Sequence, residues 1–143
     1  DLREVFLGEW EGGELRKRVV DGDPIAVRMF TEGRWDVVPG AESEDALRAR
    51  VRGAIERIAA AHPDELVVIV VHGGVIGTIF NLASGSTGFA FTGADNASIS
   101  HLVITPDRWM KDFEDAGFKR FEAIPLAGHS SAAVLARPKR PPK

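Results

Sequence analysis

Cysteine is absent from the 143 residues, and that absence removes disulfide frameworks, thiolate metal sites and cysteine nucleophiles. It fits a reducing compartment, with the cytoplasm as the expected one. Long apolar runs are missing too. None approaches the roughly 18 residues that a bilayer span requires, and no signal-peptide pattern opens the chain. Neither charge sign dominates: 18 Lys and Arg against 21 Asp and Glu leave a formal net charge of −3. Bulk electrostatics therefore gives no reason to expect nucleic acid as a partner. The four histidines show no metal-ligand spacing, so neither a metal nor a cofactor is expected. What remains, at 44% hydrophobic, suffices for one modest globular domain. The chain opens on Asp1, not Met, and its first motif begins at once. A missing amino-terminal part is expected.

The most informative stretch is Leu66-Val67-Val68-Ile69-Val70-Val71-His72-Gly73-Gly74-Val75-Ile76. Six consecutive apolar residues predict a strand buried on both faces, central in a parallel sheet. The apolar stretch from Val75 to Ala83 predicts a helix, with Gly85 as its stop. Ligands of open α/β sheets bind outside the carboxyl ends of such strands. There glycines let backbone approach a ligand, and the next helix offers free N–H groups to an anion. His72 is thus placed to touch a phosphoryl group. An HGG run also occurs in the oxyanion loop of esterase-type α/β-hydrolases, but that reading needs a downstream G-x-S-x-G elbow. The nearest candidate, Gly85-Ser86-Thr87-Gly88, has the wrong spacing.

Elsewhere the pattern predicts a long helix over 44–61. Ser43 is its N-cap, Glu44 and Asp45 stand in the first turn, and Leu47, Val51, Ala54, Ile55 and Ile58 form its apolar stripe. Arg48, Arg50, Arg52 and Arg57 lie mostly off that stripe and read as a solvated face. Short helices are expected at 14–18 and 25–30, the second burying Ile25, Met29 and Phe30, and a loop at 31–41 in which Trp35 and Val37 pack inward. Residues 96–104 read as a strand, Arg108 to Phe113 as an antiparallel edge strand, and the basic, proline-rich 136–143 as a disordered tail. Trp10 and Trp35 read as packing anchors. His62 reads as exposed, His101 as structural, and His129 has no evident partner.

Three segments, in order, carry a resemblance. Leu2-Arg3-Glu4-Val5-Phe6-Leu7-Gly8-Glu9-Trp10-Glu11-Gly12 looks like L-x-E-x-x-(F/Y/L)-G-x-W-E-G. Pro39-Gly40-Ala41-Glu42-Ser43 looks like P-G-G-E-S, and Val70-Val71-His72-Gly73-Gly74-Val75-Ile76 matches V-x-H-G-G-x-I. Asn96-Ala97-Ser98-Ile99 is similar to a later N-x-S-I strand start. Together, across Leu2 to about Trp109, they resemble the histidine phosphatase superfamily, the phosphoglycerate-mutase-like enzymes.

The resemblance implies an α/β fold, a three-layer sandwich with a mostly parallel sheet, incomplete at the amino terminus. Residues 1–135 would form a partial histidine-phosphatase domain, followed by the tail at 136–143. It also implies a phosphomonoester hydrolase working through a phosphohistidine. Glu4 matches the glutamate that protonates the leaving alcohol, and His72 matches the second histidine, which stabilises charge on the phosphoryl oxygens. Gly73 and Gly74 match the turn beside the phosphate or substrate. Glu42 is taken as a helix-start anion with no chemical role. The implied partner is a small phosphorylated metabolite or free phosphate, with no nucleic acid, no membrane, and a homo-oligomer left open.

The chain also departs from the family pattern. No Arg-His-Gly occurs anywhere, so the R-H-G-E nucleophile and its arginine are missing, as is a further family arginine. The closing N-D-x-x-H-L element is not recognisable after Trp109. Ala41 stands where the family has glycine, a tolerable change if its φ stays negative. Mutases carry E-R-H-Y-G where this chain has Glu4-Val5-Phe6-Leu7-Gly8, and their W-R-R segment is lacking because Asp36-Val37 follows Trp35. A phosphomonoesterase is therefore favoured over a phosphoglycerate mutase, with a catalytically inactive fragment or pseudoenzyme as the other alternative.

Overall fold

A computed structural model describes residues 1–63, 65–92 and 94–103, together with the strands at 124–125 and 132–136. The chain runs through a 3-10 turn (Gly8–Gly13), α1 (Glu14–Val20), α2 (Pro24–Glu32), a second 3-10 turn (Trp35–Val37) and α3 (Glu44–Ala61). It continues through β1 (Val67–Val70), α4 (Gly73–Ser84), β2 (Ser98–Val103), β3 (Ile124–Pro125) and β4 (Ala132–Ala136). Helices and a mixed sheet make it an α/β fold.

Local chemistry sets the helix boundaries. Asp23 caps α2 by accepting from the Ile25 N–H at 2.8 Å, with Pro24 at the first helical position. Ser43 caps α3 through the Ala46 N–H at 3.2 Å. Gly33 and Gly85 close α2 and α4 in the left-handed conformation. Helix α4 is buried from Gly74 to Ala83, Thr78 and Asn81 included, and forms the centre of the core. Ile76, Ile79, Phe80 and Leu82 of α4 share one cluster with Leu47, Val51 and Ile55 of α3, with Val5, and with Ile69 and Val71. A smaller cluster gathers Trp10, Ala26, Met29 and Val38.

Helix α2 buries Ala26 and Met29 but leaves Phe30 exposed, where it meets Phe89 edge-on. Of the expected face, Met29 is buried and Ile25 half-buried against the same cluster, and Phe30 alone turns outward. Trp35 packs on Phe89 with ring centroids 4.5 Å apart, and Trp10 is buried beneath the Arg18 guanidinium, so both tryptophans anchor packing.

The sheet corrects the largest expectation. Its order is β1-β4-β2-β3. β1 pairs antiparallel with β4, β4 parallel with β2, and β2 antiparallel with β3. Among the described strands, the one expected to be central and parallel therefore ends the order and has an antiparallel neighbour. Nor is it buried on both faces. Ile69 lies in the core, while Val68 and Val70 are 61% and 65% exposed. An all-apolar run says that both faces are suited to burial, but which face is covered depends on elements far away in sequence. Ala136 ends β4. The edge strand expected at 108–113, His129 and residues 137–143 lie outside the described residues.

Candidate active site

The three motif segments meet in space. Gly8, at φ +55°, lies so close to the backbone of 39–41 that a Cβ there would come within 2.3 Å of the Gly40 carbonyl carbon and of the Pro39 oxygen. The Glu9 N–H donates to the Pro39 oxygen at 3.0 Å, and the Glu42 N–H donates to the Phe6 oxygen at 3.0 Å. The first motif thus runs alongside the second. Gly40 supplies the left-handed turn, whereas Ala41 stays out of that region, since Ala97 is the one non-glycine with positive φ among the described residues.

The third motif closes on the first from the other side. His72 is the N-cap residue of α4, with extended backbone (φ −85°, ψ 163°) and its carbonyl accepting from the Ile76 N–H at 3.0 Å. Its imidazole makes no capping bond and projects outward, 70% exposed, with Nδ1 3.9 Å from Oε2 of Glu4, which is 40% exposed. The other oxygen of Glu4 accepts from the Val5 N–H at 2.9 Å, which fixes the carboxylate while Val5 itself is buried. Gly74 makes this approach feasible: a Cβ there would lie 2.7 Å from Val5 Cγ2 and 2.8 Å from Glu4 Oε1. Gly73 differs, because a Cβ on it would meet nothing within 4 Å. Of the four residues singled out from sequence, Glu4, His72 and Gly74 are in mutual proximity, and Gly73 opens the helix beside them. The first N–H groups of α4 lack intrahelical acceptors and carry the positive end of its dipole, next to the imidazole.

Beneath Glu4 lies a polar cluster that the sequence reading missed. Arg50, expected on a solvated face, is only 12% exposed, and its partner Glu42 is 11% exposed. Arg50 donates from Nε to Glu42 Oε2 (2.8 Å) and from Nη2 to Glu42 Oε1 (2.5 Å). It also donates to the backbone oxygens of Asp1 (2.7 Å), Arg3 (2.9 Å) and Glu4 (3.1 Å). Glu42 Oε1 further accepts from the Phe6 N–H at 2.8 Å. Burial alone would raise the Glu42 carboxyl, but the hydrogen bonds from Arg50 and Phe6, with the Arg50 charge, outweigh it and hold the group below the ordinary carboxylate range. Glu42 is therefore more than an anion at a helix start. Nothing local in the sequence marks Arg50, because its backbone partners lie 46 to 49 positions before it.

Of the other histidines, His62 ends α3 and contacts Glu65 at 3.0 Å, and His101 is exposed on β2. Among the described residues no group of three or more His, Asp or Glu gathers that could hold a metal ion, and no helix is long and apolar enough to cross a membrane.

Comparisons with known proteins bear on the family. A family model for the histidine phosphatase superfamily (branch 1) matches residues 1–115, and the chain belongs to that superfamily. It is 39% identical to "Phosphoglycerate mutase-like protein 4" of Arabidopsis thaliana over 88 residues, covering 60% of this chain and 38% of the relative. It is 31% identical to "Metal-independent phosphoserine phosphatase" of the same plant over 115 residues, covering 78% and 47%. With "Uncharacterized phosphatase PhoE" of Bacillus subtilis (strain 168) it shares 26% over 115 residues, covering 79% and 54%. The chain spans about half the length of these relatives or less. No solved structure matches it.

Proposed function

We propose that these residues are one part of a phosphomonoester hydrolase that works through a phosphohistidine, with the nucleophilic histidine outside the 143 residues. The observation that carries the reading is the 3.9 Å approach of Glu4 to His72 from two separate family motifs. In the proposed reaction a histidine nitrogen forms a bond to phosphorus while the bond from phosphorus to the ester oxygen breaks. Glu4 gives its proton to that oxygen, so the alcohol leaves neutral. The water oxygen then bonds to phosphorus as the phosphorus–nitrogen bond breaks and frees the histidine, the Glu4 carboxylate takes the water's proton, and inorganic phosphate departs. His72 and the first N–H groups of α4, from Gly73 and Gly74, hydrogen-bond the phosphoryl oxygens as charge builds on them. No metal is assigned to either step.

Hydrolysis is favoured over mutase chemistry by Val5. It occupies the position of the mutases' arginine and is buried against Gly74 in the core, where it offers nothing to a second acidic group. The substrate class is a small phosphorylated metabolite, and the compartment this reading implies is the cytoplasm. The exposed Val68 and Val70 face suits a further covering layer, as in the three-layer sandwich that the family implies.

The test compares the 143-residue chain with a version extended upstream along its reading frame, using p-nitrophenyl phosphate. The chain alone is expected to match a heat-inactivated control, because losing a covalent nucleophile removes several orders of magnitude in rate. The extended version, carrying an R-H-G-E segment, is expected to turn over, and His72→Ala to cripple it. An extended protein that folds, lacks R-H-G-E and is inactive would instead be a pseudoenzyme. Robust turnover by the 143-residue chain that His72→Ala abolishes would overturn the proposal.

A further inference from the structure

We infer that Arg50 and Glu42 are positioning residues that hold Glu4 at its distance from His72. The inference rests on the reading of Glu4 as the proton donor. A guanidinium has five N–H donors and no acceptor. Arg50 spends all five inside the protein: Nε and one Nη2 hydrogen on Glu42, the second Nη2 hydrogen on the Glu4 oxygen, and the two on Nη1 on the oxygens of Asp1 and Arg3. None is left for a phosphate, so Arg50 does not serve as one of the family's missing phosphate-binding arginines. Its donors instead converge on the backbone of Glu4 and the residues before it. Glu42 secures the residues after it, through its carboxylate on the Phe6 N–H and its own N–H on the Phe6 oxygen.

Glu4 is thereby held on both sides. The segment at 1–7 has no helix or strand of its own to fix it. Arg57 holds its first residue through the Asp1 carboxylate and Glu11 its last through the Leu7 N–H, while the Arg50 and Glu42 bonds and the burial of Val5 hold the middle, where Glu4 sits. Without the Arg50 and Glu42 bonds that middle stretch would allow displacements of an ångström or so. Displacements of that size lower rates by about a hundredfold when they misplace a catalytic group. Lysine cannot substitute here. It has three donors on a single nitrogen and cannot form the planar fork that grips Glu42 while also reaching three carbonyls.

The test is a double-mutant cycle in the phosphatase-active, upstream-extended protein, read on two substrates as kcat/KM, which covers the steps up to departure of the leaving group and not the later hydrolysis that both substrates share. Protonation of the leaving group matters for an alkyl phosphate and little for p-nitrophenyl phosphate, whose phenolate leaves unaided. Glu4→Gln should therefore slow the alkyl phosphate far more than the nitrophenyl ester. Arg50→Gln and Arg50→Lys should reproduce that bias in part, with about a 10- to 100-fold loss on the alkyl phosphate and less than about threefold on the other, at or below the lower end of the roughly 10²- to 10⁴-fold that general acids supply. In the Glu4→Gln background Arg50→Gln should add no further bias, because a residue acting through Glu4 has nothing left to position. Arg48→Gln, on the same helix but beside Glu44 and not residues 1–7, is the control.

Equal slowing of both substrates by Arg50→Gln, or a bias that persists without Glu4, would overturn the positioning role and leave a purely structural one. If Glu4→Gln itself shows no bias, the proton-donor reading fails first, and identifiably. Should Arg50→Gln not fold, Arg50→Lys and an NMR measurement on the 143-residue chain decide. The nuclear Overhauser contact between the Glu4 side chain and the His72 ring should weaken in Arg50→Lys while the α4 amide shifts hold. An undiminished contact refutes the inference.

Discussion

The two adjacent glycines at the start of α4 separate two uses of the same residue type. At Gly74 a methyl group would press on Val5 and on the Glu4 carboxylate at 2.7 and 2.8 Å. The carboxylate can swing aside, whereas buried Val5 gives way less easily. Gly74→Ala is expected to lose about 1–2 kcal/mol from crowding and to recover about 1 kcal/mol of helix propensity. Melting should thus change little while the Glu4–His72 contact opens, an outcome visible as a folded variant with impaired turnover of alkyl phosphates. Gly73→Ala meets open space and should leave stability unchanged or raise it by up to about 1 kcal/mol in thermal unfolding; if it weakens phosphate binding, the gap above Gly73 belongs to the ligand. Gly8 is less forgiving than either. Its φ of +55° and a 2.3 Å approach to backbone atoms leave an added Cβ nowhere to go. Gly8→Ala should cost about 2–4 kcal/mol, combining left-handed strain with overpacking, and a midpoint shift in urea near zero would show that the two motif segments do not pack as described. Glu4, His72 and Gly74 were legible in sequence because their neighbours form recognisable motifs. Arg50 was not, since its role arises only when residues 1–6 fold against α3.

At the scale of elements, legibility followed how local the controlling forces are. Helix α3 was readable from end to end because its cap, its first-turn acids and its apolar stripe all lie within its own residues. Helix α4 and its glycine stop were readable for the same reason. β3 and β4 gave no usable pattern, and β4 is the strand that decides the position of β1. The six apolar residues at 66–71 describe what β1 tolerates, while its pairing is settled by residues more than sixty positions further on. Substitutions at neighbouring positions of β1 distinguish the observed arrangement from the expected one. Val68→Thr, on the exposed face, should stay within about 0.5 kcal/mol of the parent. Ile69→Thr puts a hydroxyl in the core beside α3 and α4 and should cost about 2 kcal/mol or more. Equal, large losses at both positions in chemical denaturation would favour a strand buried on both faces. Within the helical core, Ile55→Ala and Ile79→Ala remove fully buried side chains and should each cost about 2–5 kcal/mol.

For the molecule as a whole, the Glu42–Arg50 pair ties the first residues, the second motif and α3 into one unit, and its protonation state should govern acid stability. Glu42 is held below its ordinary value of 4.5 despite burial, and Asp36 is held below 3.8, chiefly by hydrogen bonds from Arg34, with the Glu44 N–H also contributing. A carboxyl whose folded value is depressed binds fewer protons folded than unfolded. Its contribution is therefore complete above the unfolded value and is lost as pH falls through the folded one. Glu44 works in the opposite sense: burial raises its carboxyl, so its ionisation opposes folding at neutral pH and that penalty is relieved in acid. Glu42 is the best placed of the three to dominate, because protonating it removes the counter-charge of a guanidinium that is only 12% exposed. The wild-type urea midpoint should hold steady from pH 7 down to about pH 5 and then fall as Glu42 and Asp36 take up protons. Glu42→Gln should start lower at pH 7, by about 3–5 kcal/mol if the pair behaves as a broken buried ion pair. It should also fall less between pH 5 and pH 3, since the group responsible for much of the decline is already neutral. Parallel pH profiles for the two proteins would show that the pair does not link the amino-terminal segment to the rest of the fold.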